Sequence, residues 1–251
     1  MRPELDWIAT WPIAHRGLHD ASCPENSLAA FERACRYGYP IELDVQLTAD
    51  GEAAVVHDRD LVHLTGEPGL VRSMAYAQIR RARLFGTDQH VPTLAEVFEL
   101  VDGRVPVLIE IKNVGTVGAL EPRVLSLVRG YHGTVAVQSF NPMSMRYFRL
   151  QAPEILRGQI SGLFRDIDLD GARVSRVGRV MLRSMALNGL SQPDFIVYQL
   201  EGLPAVAVSR RRRRGLPVLV WTVRSPADER RARQFADNII FEGYLPARPG
   251  R

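Results

Sequence analysis

Eight short runs rich in apolar and β-branched residues recur along the chain, and stretches with helical patterning separate them. The runs are Pro12 to His15, Ile41 to Leu47, Pro106 to Ile111, Thr134 to Ser139, Ile155 to Ser161, Phe195 to Leu200, Pro217 to Val223 and Asn238 to Glu242. Alternation of this kind reads as a series of βα units. Helix signals lie in the intervening pieces. Ser27 can cap LAAFERACRY, Ser73 can cap MAYAQIRRAR, and Thr93 with Glu96 makes a T-x-x-E capping box ahead of VFELV. Asn141-Pro142 and Ser225-Pro226 put proline where a first helical turn tolerates it. Eight such units predict a closed (β/α)8 TIM barrel rather than an open doubly wound sheet, because the count matches and no GxGxxG follows the first strand. The 251 residues suit one barrel and no stretch reads as a linker, so a single domain over 1–251 is expected.

The rhythm breaks once. Asp50-Gly51 is a tight-turn signal between Val45-Gln46-Leu47 and Ala54-Val55-Val56, so the second strand should fold back as a hairpin and return His57 to the barrel mouth. The stretch from about 58 to 92 then reads as a small insertion after the second strand, with its own short helix, forming a lid or a wall.

Residues that carry chemistry gather at the ends of the first strands, where a barrel of this class places its active site. His15 and Arg16 end the first run, Glu42 and Asp44 lie in IELDV, His57 follows the hairpin, and Glu110 and Lys112 lie in VLIEIK. Residues two apart in a strand share a face, so Glu42 points with Asp44, and Glu110 with Lys112. Three acids converging on one spot repel one another unless a cation sits among them, which points to a hard divalent metal flanked by two imidazoles. The pattern leaves other readings open: a buried ion-pair network of the three acids with Arg16 and Lys112, and structural roles for His15, His57 or Trp221 taken singly.

A formal net charge of +4 suits an anionic substrate, and would also suit nucleic acid or an anionic membrane surface. The run Arg210 to Arg214 lies before PVLVWTV, where it reads as the last turn of a helix with its cations at the dipole's negative end. No aromatic residues interleave with it, so no nucleic-acid partner is expected. No run is long enough to span a bilayer, and the N-terminal residues lack the apolar segment of a secretory signal. Cys23 and Cys35 form no CxxC pattern and read as reduced thiols. A cytoplasmic protein without stable membrane insertion is the expectation. The oligomeric state is not legible.

The string HRGLHDASCPENSLAAFERACRYGYPIELDVQLTADGEAAVVHDRDLVHLTG, followed by VPTLAEVFE, VLIEIK, QSF and VWTV, resembles the glycerophosphodiester phosphodiesterases. The resemblance runs from the first strand to the seventh. It implies a (β/α)8 fold with a small insertion after strand two. It also implies hydrolysis of glycerophosphodiesters to glycerol 3-phosphate and an alcohol, with Mg²⁺ or Ca²⁺ as cofactor and Mn²⁺ as a further candidate. By the same resemblance, His15 and His57 match the acid/base pair, and Glu42, Asp44 and Glu110 the metal ligands. Arg16 matches a phosphate-binding arginine, Lys112 a substrate-contacting lysine, and Trp221 an apolar side of the pocket. Asn26, in PENS, has an adequate role as a helix cap. The alternatives are a related phospholipid or lysophospholipid phosphodiesterase and a non-catalytic phosphodiester-binding barrel. The chain departs from the family pattern at His63, where arginine is common, and at IIFEGYLP near the last strand. The segment 164–190 matches no motif.

Overall fold

The computed structural model describes residues 3–113, 116–164 and 174–249. Its strands are β1 (Ile13–Ala14), β2 (Ile41–Leu47), β3 (Ala53–Val55), β4 (Val107–Ile111), β5 (Val135–Ser139), β6 (Leu156–Ser161), β7 (Phe195–Gln199), β8 (Val218–Val223) and β9 (Asn238–Phe241). Its helices are α1 (Asp6–Thr10), α2 (Leu28–Tyr37), α3 (Val62–Thr65), α4 (Tyr76–Ile79), α5 (Leu94–Val101), α6 (Leu120–Arg129), α7 (Pro142–Gln151), α8 (Arg176–Arg183), α9 (Asn188–Ser191), α10 (Val206–Arg213) and α11 (Pro226–Ala232). The fold class is the (β/α)8 barrel, with β3 as an added antiparallel strand. Residues 165–173, part of the stretch without a motif, lie outside the described residues.

The chain forms two compact units. One comprises Ala14–Val135. Within it β2 runs parallel to β4, with Asp44 in register with Glu110. The hairpin expected from Asp50-Gly51 is present: β3 pairs antiparallel with β2, Val45 opposite Val55, and Gly51 takes φ +86° at the turn. The helix α2 starts at Ser27, whose hydroxyl accepts from the Ala30 N–H, and it ends on Gly38 in the left-handed region. Thr93 and Glu96 form the expected capping box on α5, each side chain taking the other's backbone N–H at 3.1 and 2.8 Å.

The residues after His57 fold into several short helical pieces rather than one. Leu61, Leu64, Val71, Ile79, Leu84 and Val91 bury themselves there with Ala54 and Val56 of the hairpin. Ser73 does not cap a helix. The helix α4 begins at Tyr76, whose N–H is taken by the Asp50 carboxylate at 3.0 Å, while Gln78 accepts from the Ala75 N–H. A carboxylate from the hairpin turn thus displaces the local hydroxyl as the partner of that helix end.

The other unit comprises Ala136–Arg251 with Met1–Ile13. Here β5, β6, β7, β8 and β9 pair in parallel sequence, with Gln199 in register with Trp221. Pro142 and Pro226 occupy the first turns of α7 and α11 as expected, capped by Asn141 and Ser225. The buried Asn238 amide donates to the Ile8 and Trp11 carbonyls at 2.8 and 2.6 Å, fixing the N-terminal segment to β9.

Candidate active site

The site residues of the Ala14–Val135 unit are positioned by strand ends. Asp44 and Glu110 are register partners on adjacent parallel strands, which lie about 4.8 Å apart, so their carboxylates leave the sheet side by side. Glu42 lies two residues earlier on the same face, and its longer side chain spans the difference. One oxygen from each of Glu42, Asp44 and Glu110 falls within 4.8 Å of the others. All three are buried, at 2%, 1% and 7% exposure.

Two permanent cations flank the acids. Lys112 Nζ lies 3.3 Å from Asp44 Oδ1 and 3.0 Å from Glu110 Oε1. Arg16 Nε lies 3.3 Å from Asp44 Oδ2, and its Nη1 donates to Glu25 Oε1 at 2.6 Å. The Arg16 backbone N–H reaches Glu42 Oε2 at 3.2 Å. The ion-pair network that the sequence left open is therefore present, but it does not balance. Three ionised acids carry one more charge than Arg16 and Lys112 supply, before Glu25 takes its share of the arginine.

Burial and the neighbouring charges shift the three acids differently. Burial pushes the Glu42 carboxyl well above the usual range, and repulsion from Asp44 and Glu110 adds to it against the pull of Arg16. Glu110 is raised too, by burial, with Lys112 opposing. Burial acts upward on Asp44 as well, but Lys112, His57, Arg16 and an amide hydrogen bond from Asn26 together hold it far below the usual range. A divalent cation fits this donor set: hard oxygen ligands, buried, mutually repelling, and short of positive charge.

Loop geometry sets the rest. Arg16 and Asn26 both adopt left-handed backbone, at φ +54° and +53°, and the Asn26 N–H bonds to the Arg16 carbonyl at 3.0 Å. Gly17 between strand and helix has φ +82°, and a Cβ there would lie 2.9 Å from the Ala30 backbone. His15, buried, precedes Arg16 directly. His57 is held from two sides. Its Nδ1 lies 2.7 Å from Asp58 Oδ1, and its own carbonyl, with those of Val56 and Asp58, accepts from the Gln46 amide at 2.9, 3.1 and 2.7 Å. Asp58 also reaches His63 Nδ1 at 3.2 Å.

One supporting residue has a different role from the one the sequence suggests, and two more carry none there. Asn26 is not the cap of α2, a role Ser27 fills; its Nδ2 donates to Asp44 Oδ2 at 3.0 Å. Glu25 holds the Arg16 guanidinium, and Gln46 holds the end of the hairpin. Only Gln46 left a usable signal, since it continues the face of Glu42 and Asp44. In the other unit, the Trp221 ring stands edge-on to Phe140 at 5.7 Å, and its indole N–H is buried without a hydrogen-bond partner among the described residues.

The model of the glycerophosphoryl diester phosphodiesterase family matches residues 15–241. The chain belongs to that family. Among its family relatives is a glycerophosphodiester phosphodiesterase of Caldanaerobacter subterraneus, 37% identical over 60% of this chain and 66% of its own length. Another, of Bacillus altitudinis, is 36% identical over 57% of this chain and 63% of its own. The matched region thus spans just under two thirds of these two family members. A solved phosphodiesterase of Oleispira antarctica, in complex with the product sn-glycerol-3-phosphate, superposes with a TM-score of 0.77 at 21% identity and covers 92% of each chain. It establishes the shared fold.

Proposed function

We propose that this chain hydrolyses glycerophosphodiesters to glycerol 3-phosphate and an alcohol, with a divalent cation held by Glu42, Asp44 and Glu110. One observation carries the reading: three buried carboxylate oxygens within 4.8 Å of one another, beside two cations that do not neutralise them. The names of the family relatives, and the glycerol 3-phosphate bound to the Oleispira enzyme, support the substrate class. Mg²⁺ and Ca²⁺ both suit oxygen ligands, with Mn²⁺ a further candidate. When bound, the cation supplies Lewis-acid stabilisation of the charge that grows on the phosphoryl oxygens.

The chain's own groups do the remainder. Arg16 and Lys112 offer guanidinium and ammonium donors to the phosphate. Asp58 is held below the usual carboxylate range, first by its hydrogen bond to His57, so it stays ionised and can only accept. The Nδ1 of His57 therefore carries the proton in that bond, which leaves Nε2 to exchange a proton with substrate. One of His15 and His57 accepts a proton from the attacking hydroxyl or water, and the other delivers one to the leaving alkoxide. Each such transfer is worth on the order of 10²–10⁴-fold. The 1–251 chain acts in this reading as one catalytic domain.

The test is to incubate the purified protein with a panel of glycerophosphodiesters plus Mg²⁺, Ca²⁺ or Mn²⁺ and to measure released glycerol 3-phosphate. Activity that persists after exhaustive chelation would overturn the metal assignment. Near-wild-type turnover in both His15→Ala and His57→Ala would overturn the catalytic one. Phosphorus NMR during turnover distinguishes a cyclic phosphate intermediate from direct attack by water.

A further inference from the structure

The helix α8 is turned the wrong way for a core-packing element. At 100° per residue, Val177, Val180 and Met181 share one side of RVGRVMLR, and Arg176, Arg179 and Arg183 cluster on another. A surface helix ordinarily turns its apolar stripe inward. Here Gly178, Arg179 and Leu182 are the half-buried positions, while Val177 and Val180 are 70% and 66% exposed and Met181 is exposed beside them. Arg176 and Arg183 flank that apolar strip, also exposed, and no residue of the helix is fully buried.

The arginine run adjoins this helix. Arg211, in the last turn of α10, donates from Nη2 to the Met185 carbonyl at 2.9 Å, two residues past the end of α8. Arg212 is engaged by Asp237, but Arg210, Arg213 and Arg214 are exposed. Neither 174–193 nor 202–220 contains an acidic or an aromatic residue. The surface therefore pairs aliphatic and thioether side chains with a dense set of guanidinium groups.

We propose that α8 lies flat on an anionic lipid surface. Val177, Val180 and Met181 would enter the boundary between headgroups and acyl chains, and Arg176, Arg183 and the exposed arginines of α10 would bind lipid phosphates. The chemistry selects this occupant. A nucleic acid would want stacking rings, which both segments lack. A second copy would bring like-charged arginines face to face. This is adsorption rather than spanning: among the described residues no helix is long and apolar enough to cross a membrane.

Co-sedimentation with vesicles tests the proposal independently of catalysis. Wild-type protein should bind vesicles of equal parts phosphatidylglycerol and phosphatidylcholine at least about tenfold more tightly than pure phosphatidylcholine. Raising the salt should weaken that binding. The triple variant V177S/V180S/M181S should lose roughly tenfold or more in binding while keeping the wild-type thermal midpoint. The variant R210Q/R213Q/R214Q should lose most of the preference for the anionic vesicles. Equal binding to both vesicle types, or a serine variant that sediments like the wild type, overturns the proposal. So does self-association by light scattering that the serine variant abolishes, without vesicle binding, since a second copy would then cover the helix.

Discussion

The Asn26 amide donates to Asp44 Oδ2 at 3.0 Å from a backbone held in the left-handed region. A buried carboxylate gains from such a donor, and its orientation toward a cation depends on it. Asn26→Ala and Asn26→Gly should therefore both weaken divalent-cation affinity by roughly 10–100-fold, read by calorimetric titration. Their stabilities should differ, because glycine tolerates the positive φ and alanine does not. Unchanged affinity in the glycine variant would reduce Asn26 to a backbone role.

Burial first, and repulsion from Asp44 and Glu110 second, lift the Glu42 carboxyl, so its negative charge is costly in the metal-free cluster. Removing that charge relieves the metal-free protein. Glu42→Gln should raise the thermal midpoint in the presence of chelator at neutral pH, and should abolish the further rise that Mg²⁺ or Ca²⁺ gives the wild type. A variant that is less stable without metal and still stabilised by it would refute the charge imbalance.

Asp58 bonds to His57 Nδ1 at 2.7 Å and to His63 Nδ1 at 3.2 Å, so one carboxylate orients a half-buried and an exposed imidazole together. Asp58→Asn should lower kcat by on the order of 10²-fold with little change in KM, because the amide no longer fixes the tautomer of His57. Stability should respond to pH with a definite sign. The folded-state pKa of Asp58 is depressed, so its contribution is present above the unfolded value of about 3.9 and is lost as pH falls through the folded one. Urea midpoints of wild type and variant should therefore differ at pH 7 and converge in strong acid. His63→Ala should leave most of the effect intact, since His57 is the nearer partner.

The strands were legible almost to the residue. The runs Ile41 to Leu47 and Asn238 to Glu242 appear as β2 and, one residue shorter, as β9, because β2 alternates apolar with polar residues at the strand period and β9 is built on the apolar run Ile239 to Phe241. The juxtaposition of Glu42, Asp44 and Glu110 follows from alternation within a strand and from the position of the two strands at one end of the fold. What stayed hidden depends on partners distant in sequence. The Asp50 carboxylate that displaces Ser73 at α4 is 26 residues from Tyr76, and nothing local announces it. Asn26 reads as a cap in the sequence and Glu25 carries no signal there, because their partners, Asp44 and Arg16, are met only through two left-handed residues. The helical period of α8 separates its valines from its arginines in sequence, but which side meets solvent is decided by tertiary packing.

Gln46 continues the Glu42–Asp44 face but binds no acid. Its Nε2 lies within 3.1 Å of three successive carbonyls, those of Val56, His57 and Asp58, which must share its two protons. The hairpin is thereby stapled to β2 at the point where His57 leaves it. Gln46→Ala would strand those carbonyls in a buried setting, at a cost of about 1–3 kcal/mol in urea unfolding, and would free the His57 backbone. Gln46→Glu would be worse, since it turns a donor toward the carbonyls into an acceptor beside Asp44. Both variants should lower kcat, the glutamate more than the alanine, with metal affinity changing less than turnover in the alanine variant. Equal kcat in wild type and Gln46→Ala would show that the catalytic position of His57 is fixed by Asp58 alone.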